Sequence, residues 1–119
     1  MSGFRIPKAF TMFGQRIQVK FVDDLIDGTD CVGLARLRKN VIELQTGTGP
    51  QIVRPREQTE QTFFHELVHW ALDLLCEEEL SKDEKLVDKI GSMLHQAFTT
   101  MEYDEVGAQK IDYARVMGS

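Results

Sequence analysis

The residues with most chemistry to offer are His65, Glu66 and His69, which form H-E-x-x-H inside Thr62-Phe63-Phe64-His65-Glu66-Leu67-Val68-His69-Trp70-Ala71-Leu72. In a helix of about 3.6 residues per turn the two histidines stand one turn apart, roughly 6 Å along the axis, with their imidazoles on the same side. A pair so placed can grip one metal ion. Zinc accepts neutral imidazole nitrogen, and a catalytic zinc keeps three protein ligands and an open position for water. Glu66 lies about 100° round the helix, offset from the ion, where its carboxylate acts as a base toward water rather than as a ligand. The motif supplies two ligands and a base, and lacks a third ligand.

A chance spacing on an amphipathic helix is the competing reading. Against it, only 3 His occur in the chain and two are here, among Phe63, Phe64, Leu67, Val68, Trp70, Ala71, Leu72, Leu74 and Leu75. Those apolar positions cover most of the helix circumference and leave one polar strip of Gln58, Thr62, Glu66, Asp73 and the two His. Imidazole and carboxylate beside such a surface are costly unless paired or coordinated.

A second helix, from Lys82 to about Thr100, is the place to look for the third ligand. Leu86, Val87, Ile90, Met93, Leu94, Ala97, Phe98 and Met101 fill one arc, and a strip of Glu84, Asp88, Gly91 and His95 borders it. Antiparallel packing after a reversing turn brings Glu84 back toward the end of the first helix, so Glu84 is the first choice, Asp88 the second and His95 the third. Ser81-Lys82-Asp83-Glu84 also reads as a capping box, with Ser81 as N-cap and Glu84 reaching back to it. Asp88 is otherwise an acceptor for a ring N–H of His65 or His69. His95, eleven residues beyond Glu84 and about 16 Å up the helix, cannot serve the same ion with it and reads best as a satisfied, half-buried histidine.

The remaining elements must hold these two helices. Residues 1–9 read as a loose lead-in. A hairpin follows, with a turn at Gly14-Gln15 and a strand over Arg16 to Val22 whose Ile17, Val19 and Phe21 alternate with polar residues. Asp23 to Asp30 reads as a loop. Cys31 to Leu37 and Val41 to Leu44, joined by Arg38-Lys39-Asn40, make a second hairpin, and Gly33 marks a bulge or a close backbone approach. Gln45 to Pro50 is a loop by composition, and Pro50 and Pro55 bracket a short extended piece. The metal helix starts near Pro55 to Glu57 and runs to about Cys76, a packed thiol. The sum is an α+β fold, a small, mostly antiparallel sheet packed on two main helices.

A chain of 119 residues is sized for a single domain spanning 1–119. Its net charge of -5 argues against a nucleic-acid surface. Cys31 and Cys76 do not make a disulfide framework, and no signal-like or membrane-length apolar run is present, so no membrane and a cytoplasmic location are expected. The tail 102–119 has no readable pattern.

A strand hairpin, H-E-x-x-H on a buried helix and E-x-x-x-D at Glu84 and Asp88 on the next helix resemble the gluzincin branch of zinc metallopeptidases. Gly33-Leu34-Ala35 and Ile42 leading into Phe63 to His69 are similar to the small bacterial and phage zincin-like proteins of the ImmA/IrrE family. The resemblance implies zinc held by His65, His69 and Glu84, with Asp88 supporting a ligand histidine and an edge strand, here Cys31 to Leu37, aligning the substrate. It also implies hydrolysis of a peptide bond in a protein or peptide substrate, through zinc-bound water with Glu66 as general base. A non-catalytic zinc-binding interaction module is the alternative. Metzincins are excluded by Leu72 and Leu75, where their motif needs Gly and His. Tyr103, Tyr113 and His95 are candidate oxyanion donors.

Overall fold

A computed structural model of the chain describes residues 4–23, 25, 31–49, 52, 53 and 55–103. The alternation near the N-terminus becomes β2 (Gln15–Val22), with Ile17 and Val19 buried and Arg16, Gln18 and Lys20 exposed. β1 (Ala9–Met12) pairs with it antiparallel. The turn between them is Phe13-Gly14, both at positive φ (50° and 75°), one residue earlier than Gly14-Gln15. Two positive φ values give the turn a twist that matches the strands it joins. Phe21, expected inside, is exposed.

The second hairpin runs from β3 (Gly33–Arg36) through a 3-10 turn at Leu37–Lys39 and left-handed Asn40 into β4 (Val41–Gln45). Strand order is β1-β2-β4-β3, so the two hairpins meet through a parallel β2–β4 pairing. The sheet is therefore mixed: antiparallel at its flanks, as expected, and parallel at its centre. The reason lies in β4, whose Val41, Ile42, Leu44 and Gln45 are all buried; a strand buried on both faces belongs in the interior. β3 is left at the edge. β5 (Gly47–Gly49) and β6 (Ile52–Val53) form a separate antiparallel pair where a loop and an extended piece were the sequence expectation.

Helix α1 (Arg56–Leu74) follows Pro55, whose carbonyl accepts the Thr59 N–H. It ends two residues before Cys76. Cys76 has φ 60°, its N–H goes to the Asp73 carbonyl and the Glu77 N–H to the Leu72 carbonyl. That is a Schellman ending with cysteine where glycine is usual. Cys76 is exposed rather than packed because it lies beyond the last helical turn. A one-turn helix, α2 (Glu78–Ser81), leads to α3 (Glu84–Thr100). The N-cap of α3 is Asp83, whose Oδ1 accepts the Leu86 N–H at 3.1 Å. Ser81 is thus not the cap, and Glu84 is released from the capping box.

Ile17, Ile42 and Leu44 from the sheet pack with Phe63, Phe64 and Trp70 from α1 to form the core. Burying a side chain of this size contributes about 1.5–3 kcal/mol. The N-terminal segment joins this core: the Phe4 ring lies 5.1 Å from Phe64, 6.2 Å from Phe63 and 6.1 Å from Phe98. From Phe4 onward the lead-in is packed, contrary to the loose segment expected over 1–9. The chain is α+β, a four-stranded mixed sheet against helices. Among the described residues, no helix is long and apolar enough to cross a membrane. Most of the loop expected over Asp23 to Asp30, and the tail beyond Tyr103, lie outside the described residues.

Candidate metal centre

The antiparallel approach of α1 and α3 sets the site. Gly91 makes it possible: a Cβ there would lie 3.2 Å from the His65 backbone N and 3.3 Å from its Cα. With the helices this close, Glu84 reaches both histidines. Its Oε2 is 3.0 Å from His65 Nε2 and its Oε1 is 3.0 Å from His69 Nε2. One atom from each of the three residues falls within 4.8 Å of the others. Two imidazole nitrogens and a carboxylate thus converge on one point.

The outward nitrogens of both rings also have partners. His65 Nδ1 stands 3.4 Å from Asp88 Oδ1, one helical turn beyond Glu84. His69 Nδ1 stands 3.0 Å from Ser81 Oγ. Asp88 was legible as an outer acceptor; Ser81 was not, because its position before Glu84 reads as a cap. The structure therefore brings together His65, His69 and Glu84, sets Asp88 against His65, and takes His95 elsewhere. His95 is buried, its Nε2 3.0 Å from Glu60 Oε1, and Glu60 Oε2 accepts from Arg56 Nε at 2.8 Å. Arg56 also donates to the Phe4 carbonyl. This chain of polar groups gives the His95 Nε2 its partner inside the helix pair.

Glu66 points away from the solvent side of α1, toward the sheet edge. It is 8% exposed, and the Ala35 N–H of β3 donates to its carboxylate. Register explains why that N–H is free to do so. The Gln45 N–H bonds to the Val32 carbonyl, so every second residue of β3 faces β4, and Gly33 and Ala35 direct their backbone groups outward. Burial pushes the Glu66 carboxyl above its ordinary range; the His65 and His69 imidazoles oppose this, Glu84 reinforces it, and the Ala35 N–H opposes it. Gly33 permits the contact: a Cβ there would lie 2.4 Å from Thr62 Cγ2 and 3.1 Å from Glu66 Cγ.

A cleft of about 800 Å³ opens over these groups, walled by residues 31–35 on one side and by α1 and the start of α3 on the other. Glu84 is 66% exposed at its mouth. Of the expected oxyanion donors, neither His95 nor Tyr103 lines it: His95 is sealed in the helix interface and Tyr103 is exposed with its hydroxyl on Met101 Sδ; Tyr113 is outside the described residues.

The donor set fits a zinc ion. Neutral nitrogen and carboxylate oxygen are its usual ligands, and outer partners on both rings are what ligating histidines ordinarily have. No family model matches the chain, and neither the curated proteins nor the solved structures yield a match. The functional reading stands on the geometry of the site and not on kinship.

Proposed function

We propose that the chain is a zinc-dependent metallopeptidase, with the zincin-like arrangement of small gluzincins of the ImmA/IrrE type. One observation carries the reading: a two-histidine, one-glutamate cluster opens into a cleft beside a second, buried glutamate held by the backbone of an edge strand. His65, His69 and Glu84 would hold the ion. Zinc in such a set acidifies water toward a pKa of ~7 and polarises a carbonyl.

The rest is done by the chain's own residues. Glu66 takes a proton from the attacking water and passes it to the leaving amine, and burial favours that role because it makes the carboxylate a stronger base. Asp88 and Ser81 hold the outward ring nitrogens, so the inward nitrogens keep their direction. The edge of β3 offers main-chain groups to an extended peptide, which adds as a further strand with its carbonyls over the cleft. Protein or peptide is accordingly the substrate class.

Elemental analysis of untagged protein, stripped by chelator and resupplied with zinc, tests the metal directly. One zinc per chain is expected, and none on a Glu84→Ala variant. A wild-type chain that takes up no zinc ends the proposal. Glu66→Gln separates peptidase from zinc-binding module: it retains metal and loses hydrolysis in the first case, and retains the biological activity in the second.

A further inference from the structure

The two histidines of the cluster are held from behind by different chemistry and different elements. His65 has Asp88, 75% exposed, at 3.4 Å and from the same helix as Glu84. His69 has Ser81, buried at 7% exposed, at 3.0 Å and from the one-turn helix α2. Ser81 is fixed in turn, because its N–H donates to the Glu77 carbonyl and the following Asp83 N–H donates to the Leu80 carbonyl. The linker between α1 and α3 therefore has a defined conformation that delivers one hydroxyl to one ring nitrogen.

We propose that Ser81 is a positioning residue for His69: its hydroxyl accepts the Nδ1–H and so turns the Nε2 lone pair toward the point shared with His65 and Glu84. This rests on the zinc reading above. Nε2 is the nitrogen that faces Glu84, so a ligating His69 carries its proton on Nδ1, and Ser81 Oγ is the acceptor at hydrogen-bond distance. A hydroxyl suits the place better than a second carboxylate would. Glu66, Glu84, Asp88 and Asp73 already line the cleft, and a neutral acceptor fixes the ring without adding to that charge. Ser81, at the accepting end of the bond, is buried. Outer partners of this kind typically hold tenfold or more in metal affinity.

The test is zinc affinity by competition with a chromophoric chelator, read for wild type, Ser81→Ala, Ser81→Thr and Leu80→Ala, together with the ring N–H signal of His69 in zinc-loaded, nitrogen-labelled protein. Ser81→Ala should weaken zinc binding by roughly tenfold and lose the slowly exchanging Nδ1–H signal, in a metal-free protein that still unfolds cooperatively. Ser81→Thr, which keeps the hydroxyl, should stay close to wild type in both. Leu80→Ala, an exposed neighbour on the same short helix, should do the same. Unchanged affinity with a retained signal in Ser81→Ala overturns the proposal, as does an equal loss in Leu80→Ala, which would trace the effect to the packing of α2. Wild-type protein that binds no zinc would instead fail in the first arm, and that failure belongs to the metal reading itself.

Discussion

A histidine meets a glutamate at each end of the α1–α3 interface, at the same 3.0 Å, with opposite outcomes. At one end the histidines are on α1 and Glu84 on α3; at the other Glu60 is on α1 and His95 on α3. Glu84 is 66% exposed and faces a cleft, whereas Glu60 and His95 are 3% and 9% exposed and face each other. The first meeting leaves lone pairs pointing at a shared, accessible place. The second uses up its polar groups on Arg56 and closes. Residue type does not distinguish the two ends; convergence and access do.

Four substitutions test that contrast. The largest effect is expected from Glu66→Gln, which should reduce peptide hydrolysis by a factor of roughly 10²–10⁴ at full zinc occupancy, read as turnover of a quenched protein substrate beside metal content. Next, Glu84→Ala should lose zinc on dialysis against chelator while His95→Gln keeps it. Retention by the first or loss by the second would dissolve the distinction between open and closed ends. Third, Glu60→Ala leaves buried His95 without its partner and should cost about 1–3 kcal/mol of stability in urea denaturation, with metal binding preserved.

The smallest effect concerns the metal-free protein. Glu66 has its carboxyl raised in the fold, chiefly by burial. Below the ordinary glutamate pKa it is protonated in both folded and unfolded chains and costs nothing. As pH rises from that value through the raised one, the unfolded chain ionises first and the fold loses stability. Glu66→Gln removes this penalty. Its stability advantage over wild type, in chelator-treated samples, should therefore grow across that pH window and level off above it; a constant difference would count against the burial argument.

Much of this arrangement was legible in the sequence. The H-E-x-x-H spacing placed His65, Glu66 and His69 on one helix, and the apolar arc of the next helix placed Glu84 and Asp88 on the strip that faces them. The misses have physical causes. Ser81 and Asp83 are both good N-caps, and local chemistry could not choose between them; the helix started two residues later and freed Ser81 for His69. Hairpin reasoning pairs sequence neighbours and so could not see β2 beside β4, although the apolar run in β4 was a signal for a central strand. His95 lost its claim to the ion because Glu60 lies buried one helix away to receive it.

Gly33 sets the spacing between β3 and α1. The strand lies against α1 at a separation that admits a hydrogen atom and rejects a methyl group, since even the smallest side chain would strike Thr62 and Glu66. Any larger residue at 33 would lever the rim outward and lift the Ala35 amide from the acid it restrains. Clearance between the edge strand and the acid is thus encoded by an omitted carbon.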